Sequence, residues 1–578
     1  MKSISKKILA VLLAAICAFS VLAINTSAFF DDEDFFPEDI FSDLILEDNI
    51  YYEIYAEEDC YSASVIDFEV NEEGASLVPE TVIIPETVEY EGENVTVTGI
   101  GYGAFMDCYT IREVTLPDTI TSIDDQAFYA ASHLEKIIVP ETIDFEYFGF
   151  SVFEATPVLG YLAEQSTDNA VILGQNVLLA YLGNDKMYTI PEEIDFISDY
   201  CFFMAGVENV IFNESIELLP PYAFASCRNL KEITIPDSIY GIGEGAFSNC
   251  TNLEKINLGN SLKYIGTKAF ENTKIKDIYL GDSIINVASA FAGCATLENI
   301  TVSENNTSYF FENNALYYIF TDMDGNFESS ILEYFLVTAD VTTFTVPEDV
   351  ISVGPYAFYG CKQLDKVTIN SYVDIYEFAF AYCDFESFDF ANVGSVGYAT
   401  FRGCNNLTSL DLSTVDYIED SAFENCKNLA NVTFSPSVYC IGARSFANTA
   451  LEEVSISGDE AEIYEGAFAD CKNLKSVDFN EGVAVIYSHV VANCPDLESV
   501  FISKTVHYID YYAFEDCQNV TFRIIKYSDG ADAIVEYADD ADNDVTKYEF
   551  VGKLTIFERI AKFFSDLFEK IYDFFFRW

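Results

Sequence analysis

The chain has 578 residues, with 29 Lys and Arg against 96 Asp and Glu, giving a formal net charge of −67. A surface this acidic repels phosphate backbones, so a nucleic-acid partner is excluded. Half the residues are hydrophobic and 15 % are aromatic, which is too apolar for a disordered acidic chain.

Lys2, Lys6 and Lys7 precede an apolar run from Ile8 to Ala23, and Thr26-Ser27-Ala28 offers small residues for cleavage. Residues 1–28 read as a secretory signal peptide whose apolar run is short for a membrane span. An exported product is expected, secreted or displayed at the cell surface. Residues 29–60 hold 13 acidic residues and no Lys, Arg or His. They read as an acidic flexible segment. Two further acidic runs, Asp322 to Gly325 and Asp540 to Asp544, lack the glycine placement and closing glutamate of an EF-hand loop, so no metal is assigned.

A repeat organises the next several hundred residues. After Ala223-Phe224 come Cys227, Leu230, Ile233, Ile235, Pro236, Ile239, Ile242 and Gly243, and Ala246-Phe247 restarts the cycle. The key Phe recurs at 105, 128, 153, 202, 224, 247, 270, 291, 358, 380, 401, 423, 446, 468 and 514, with Val491 standing in once, at uninterrupted spacings of 21 to 23. Such a period means a solenoid, here about 16 coils, and not a string of globules. Alternation puts Ile233 and Ile235 on the inner face of a short strand, with Glu232 and Thr234 outside. Pro236 ends that strand because it lacks an N–H for the ladder. Gly243 is expected to permit a turn that other residues resist.

The motif Ala-Phe-x-x-Cys-x-x-Leu-x-x-Ile-x-Ile-Pro-x-x-Ile-x-x-Ile-Gly resembles the repeat of BspA-like (treponemal-type) bacterial leucine-rich-repeat surface proteins, over roughly residues 82–550. The resemblance implies a mainly β, right-handed leucine-rich-repeat solenoid with short parallel strands. It also implies an N-terminal β cap over 61–98, a solenoid over 99–521 and a C-terminal strand cap over 522–552. Insertions at about 160–187 and 303–341 interrupt the period. Each reads as a β-hairpin: Ala170–Leu173 with Val177–Tyr181, and Ala315–Phe320 with Ile331–Leu336. They are either lateral extensions of the solenoid core or protruding recognition elements.

Eleven of the 15 cysteines sit three residues after the key position: Cys108, Cys227, Cys250, Cys294, Cys361, Cys383, Cys404, Cys426, Cys471, Cys494 and Cys517. Ala131, Thr156, Thr273 and Thr449 fill the slot elsewhere, so it takes a small, partly polar side chain. Strands about 4.8 Å apart hold successive Cβ atoms wider than the roughly 3.8 Å a disulfide needs. A structural core column of free thiols is expected, with disulfide bridging as the rival.

No catalytic residues, cofactor or enzymatic activity are assigned. His133, His489 and His507 are the only histidines, and none falls in a pattern that pairs it with a nucleophile and an orienting acid. The candidate ligand face is the outer side of the first strands: Glu232, Thr234, Lys255, Asn257, Asn299, Thr301, Lys366, Thr368, Ser409, Asp411, Asn431 and Thr433. Small polar side chains on a long sheet suit an extended ligand, although a merely soluble face has the same composition. Tyr264, Tyr417 and Tyr508, each beside the buried Ile of the second strand, offer aromatic contacts on another face.

Residues 553–578 form a predicted amphipathic helix of near-neutral charge. Its apolar face includes Phe557, Phe564, Phe568 and Phe575 and ends at Trp578. It would cap the solenoid, self-associate or lie against a membrane or cell envelope. The whole reads as a secreted or cell-surface binding protein, with adhesion implied by the resemblance. Its ligand is an extracellular protein or glycan, met through the sheet face and the hairpins. A structural scaffold without a discrete ligand, or a carbohydrate binder, remain alternatives.

Overall fold

The computed structural model describes residues 43–553 except 57–60, 69, 71–75, 167–168, 288, 323–324, 511, 518–519, 527, 530–531 and 535–547. The signal peptide and the tail helix, Lys553 apart, lie outside the described residues. The chain forms two compact units, divided between Phe291 and Ala292.

Each coil is built as its sequence dictates. The strand Glu232–Thr234 exposes Glu232 and Thr234 and buries Ile233, and it pairs in parallel with Lys255–Asn257 one coil on. The second strand, Gly241–Ile242, pairs with Leu218–Leu219 behind and Tyr264–Ile265 ahead. At the third corner the Phe224 N–H donates to the Ala246 carbonyl at 2.8 Å, and the Phe247 N–H to Ala269 at 2.8 Å. This third ladder carries the ring stack. Centroids of Phe202–Phe224, Phe224–Phe247 and Phe247–Phe270 lie 4.7, 5.3 and 5.9 Å apart, nearly parallel. In the second unit Phe358–Phe380, Phe380–Phe401 and Phe401–Phe423 repeat this at 5.0, 5.3 and 5.4 Å. The rings are fully buried, so each fills its own coil and floors the next.

Gly243 has a different reason from the one its sequence position implies. Its backbone is not left-handed. A Cβ there would lie 2.5 Å from the Pro221 nitrogen and 2.6 Å from the Pro220 carbonyl carbon, so the glycine exists for close approach of the preceding coil. The left-handed positions are two residues before and two after the key Phe. Ordinary residues fill most of them, as at Tyr222 and Ser226 or Lys268 and Asn272.

The solenoid has about 18 turns, not 16. The insertions hide the other two. The strand Val177–Tyr181 is buried along its whole length and pairs in parallel with Phe196–Ile197. It ends with the Tyr181 N–H donating to Cys201 at 2.7 Å, in the corner where a key Phe would stand. The Tyr181 and Phe202 rings lie 5.6 Å apart. In the second insertion, Phe335 donates to the Ala357 carbonyl at 2.8 Å and stacks on Phe358 at 5.1 Å. Both insertions are therefore coils with an antiparallel strand added laterally. The first also carries a helix, Val158–Gln165, after Pro157. The second has three strands, Tyr309–Glu312, Ala315–Thr321 and Phe327–Phe335, with Phe320 and Phe327 exposed at its distal end.

Part of the acidic flexible segment is ordered sheet. Asp43–Glu47 and Ile50–Ala56 pair antiparallel, and the second strand continues onto Tyr61–Phe68, which joins Glu93–Ile100 in parallel. Ile50, Tyr52 and Ile54 are buried. This period-two apolar pattern outweighs the acidic count. Phe68 starts the ring stack, 6.5 Å from Phe105. At the other end Thr521–Lys526 and Tyr548–Lys553 add two more parallel strands.

Asp199 is a buried carboxyl in the core of the first unit. One carboxylate oxygen accepts the Ser151 N–H, and the other has no hydrogen-bond partner. Burial, with Glu154 and Asp125 nearby, pushes its pKa up to about 8. A carboxyl with a raised folded pKa gives stability that is full below pH about 4 and is lost as pH rises through about 8. Asp199→Asn keeps an acceptor for Ser151. Chemical denaturation should show it flattening the pH dependence of stability between those limits, with a gain on the order of a few kcal/mol at pH 8 and none near pH 3.

Candidate binding surfaces

The first-strand faces bring the predicted ligand residues into register. Glu232 lies opposite Lys255 and Thr234 opposite Asn257, with the Asn257 amide donating to the Thr234 hydroxyl at 3.2 Å. In the second unit Ser409 faces Asn431 and Asp411 faces Thr433. Lys366 and Thr368 pair instead with Thr343 and Thr345. Asn299 and Thr301 flank the buried Ile300. All twelve are exposed except Thr368, which is half-buried. Ion pairs cross the coils beside this face, with Glu208 held by Lys186 at 3.0 Å and Lys231 at 3.1 Å, and Lys475 meeting Glu452 at 2.9 Å. Exposed pairs of this kind add little stability and chiefly fix side-chain positions.

The cysteine column is a hydrogen-bonded element of the core. Thiols of Cys227, Cys250, Cys383, Cys404 and Cys426 donate to the key Phe carbonyl of the preceding coil at 2.9 to 3.1 Å. Cys471, Cys494 and Cys517 do the same at 3.3, 3.4 and 2.8 Å, Cys517 to Val491. Where threonine replaces cysteine, as at Thr273 and Thr449, the hydroxyl turns back to its own coil's Phe, at 2.8 and 2.9 Å. The longer C–S bond thus reaches across coils, while the C–O bond stays within one. The 13 cysteines among the described residues form no disulfide, and of these only Cys440 and Cys517 are partly exposed.

The second-strand face carries a feature that the repeat pattern did not single out. Tyr417 stacks on Tyr439 at 5.5 Å and Tyr464 on Tyr487 at 4.9 Å. Between these stacks the pairing of Val438–Ile441 with Gly458–Ile463 slips by two residues, from Val438 opposite Gly458 to Cys440 opposite Glu462. The coil there runs Ile456-Ser457-Gly458-Asp459-Glu460, and Glu460 is left-handed at φ 53°. A groove of about 820 Å³ opens beside it, lined by Tyr398, the first three stacked tyrosines, Cys440 and six carboxylates. Burial, then Asp420, Glu462 and Glu419, push the Cys440 thiol up to about 11. Tyr264 and Tyr508 are exposed and Tyr417 half-buried.

The histidines are dispersed. His133 bonds the Tyr109 carbonyl through Nδ1 at 2.5 Å, and His507 is exposed. His489 stacks on Tyr512 and reaches Glu515 at 3.1 Å. Among the described residues no cluster of His, Cys, Asp and Glu is arranged to hold a metal, and no helix is long and apolar enough to cross a membrane. Phe557, Phe564, Phe568, Phe575 and Trp578 lie outside the described residues.

A family model described as a BspA type leucine rich repeat region, in six copies, matches residues 86–179, 180–298, 217–327, 329–414 and 394–521. No curated protein matches the chain. Solved structures similar to it include a leucine rich cell surface protein from Faecalibacterium prausnitzii, 20 % identical over 85 % of this chain and 97 % of that one, TM-score 0.30. A leucine-rich repeat protein from Eubacterium ventriosum is 23 % identical over 60 % and 90 %, TM-score 0.43. The pneumococcal vaccine antigen PcpA is 15 % identical over 89 % and 99 %, TM-score 0.34.

The two partly exposed thiols should separate in reactivity. Cys517 is partly exposed and so within reach without unfolding, whereas burial and neighbouring carboxylates raise the Cys440 thiol. With a chromogenic disulfide reagent at pH 8, Cys517→Ser should remove a fast-reacting thiol from the native protein. Cys383→Ser should remove one only after unfolding.

Proposed function

The chain belongs to the BspA-type leucine-rich-repeat family, and from that premise we propose that it is an exported recognition protein that holds an extended extracellular protein along its first-strand face. One observation carries this reading: the outer positions of successive strands align as exposed polar pairs, Glu232 with Lys255, Thr234 with Asn257, Ser409 with Asn431 and Asp411 with Thr433. Nothing in the described chain covers them. A row of short, polar, evenly spaced side chains offers hydrogen bonds to a ligand running across many coils, at little side-chain entropy cost. Export rests on the sequence of residues 1–28. The distal end of the second insertion, with Phe320 and Phe327 exposed, adds an apolar contact beyond the sheet. No catalysis forms part of the proposal.

Replacing Thr234 and Asn257, or Asp411 and Thr433, by alanine should weaken binding to whichever matrix protein or mucin the mature chain captures, by about tenfold, with the melting temperature unchanged. Biolayer interferometry against a panel of matrix proteins, mucins and glycans reads this. Unchanged affinity removes the face from the binding site, and capture of glycans alone supports carbohydrate recognition instead. We further propose that residues 553–578 hold the protein at the cell envelope, on the strength of their amphipathic sequence. Their deletion should move the protein from the cell fraction to the medium, and retention would assign the segment to capping or self-association.

A further inference from the structure

The groove on the second-strand side of the Ala292–Trp578 unit is built differently from the rest of the surface. We propose that it binds an extended Lys- or Arg-rich segment of a partner protein. Three observations converge on that occupant.

The first is aromatic. Tyr439 is 52 % exposed and Tyr464 38 % exposed, each with one face packed on a neighbouring ring. Their positions are fixed. The Tyr464 hydroxyl donates to Glu462 at 2.8 Å, and the Tyr487 hydroxyl donates to the same carboxylate at 3.2 Å. A guanidinium or ammonium within about 6 Å of such a ring is attracted by its negative face.

The second is charge left unbalanced. One corner away, the buried Glu424 is neutralised by Arg402 at 3.2 Å and Arg444 at 2.9 Å. Among the described residues no Lys or Arg pairs with Glu419, Asp459, Glu460 or Glu462, and no basic side chain lines the groove. Glu419 and Glu462 are half-buried, so their charge is screened less than that of the open acidic surface. Glu424 is balanced in cis, and here the cation is left to come from outside.

The third is shape. The groove crosses the strands Tyr417–Ile418, Val438–Ile441 and Gly458–Ile463 and is open along its length. Three coils about 4.8 Å apart are spanned by about three residues of extended chain at roughly 3.3 Å each. A Lys or Arg side chain lays its methylenes along a tyrosine and places its head among the carboxylates. This face is separate from the polar first-strand face, so the two assignments succeed or fail independently.

The test uses the full chain and a fluorescent hexa-arginine peptide, read by anisotropy at several salt concentrations. Glu419→Gln with Glu462→Gln should weaken binding about tenfold and lower its salt dependence, and Tyr439→Ala should weaken it several-fold. Glu192→Gln with Glu193→Gln, two exposed acids in the other unit, makes the same charge change elsewhere and should leave affinity unaltered. Equal losses in both double variants would mean general attraction to a polyanion and overturn the site, as would unchanged binding in Tyr439→Ala. If the groove pair lowers the melting temperature, Glu460→Gln, at an exposed turn, takes its place with the same criteria.

Discussion

No coil of this protein can bury its own apolar side chains, because a loop of some 22 residues encloses only the rim of a core. What closes the core is the stack at the Ala-Phe corner. There a buried ring lies on the ring of the next coil, about 5 Å away, while the Phe N–H donates to the following Ala carbonyl. Each aromatic side chain buries roughly 150–250 Å², and its offset stack adds a directional preference. The two together set the rise per coil. Everything else adapts to that rise. Gly243 and its equivalents Gly266 and Gly442 lack a Cβ because a neighbouring backbone comes too close for one. The thiols reach one coil back because the Phe carbonyl lies within range of a C–S bond and has a lone pair to spare.

The same constraint explains the tolerance of the insertions. A coil needs an aromatic at the corner, two short parallel strands and a small residue behind the ring, and it can gain chain anywhere that leaves those intact. Tyr181 and Phe335 show this. Each ends an added antiparallel pair, yet each takes the corner position and its hydrogen bond. The extra strands therefore widen the sheet, and the rings at their ends still meet Phe202 and Phe358 of the next coil. Val491 is the opposite departure. It keeps the backbone bond to Ala513 at 2.9 Å but brings no ring, so the aromatic stack ends at Phe468 while the ladder continues.

With the interior committed to packing, recognition is left to the outer faces, and these differ. The first strands present short polar groups in register. The second strands present tyrosines, ordered by one another and by carboxylates, with a groove where the strand pairing of one coil slips. The overall charge of −67 is not spread evenly over these faces. It is balanced by arginine around Glu424 and left unbalanced around Glu462.

Much was legible in the sequence, for a reason particular to repeats. A feature copied many times announces its structural role by its period alone, so the key Phe, the inward Ile positions, the outward polar positions and the cysteine column could be assigned without coordinates. What the sequence could not supply were the places where different residues meet one requirement. Tyr181 and Phe335 carry no Ala-Phe spacing, so two coils were hidden. Ile50, Tyr52 and Ile54 lay inside an acidic run whose count obscured its alternation. The role of Gly243 depended on a backbone one coil away, and so did the direction of each thiol. The unpartnered Asp199 oxygen and the tyrosine groove likewise arise from residues distant in the chain. Sequence fixes what recurs along the chain because each coil repeats one local solution. Tertiary structure decides what happens between coils, because close approach, hydrogen-bond direction and uncompensated charge depend on neighbours that the local sequence does not contain.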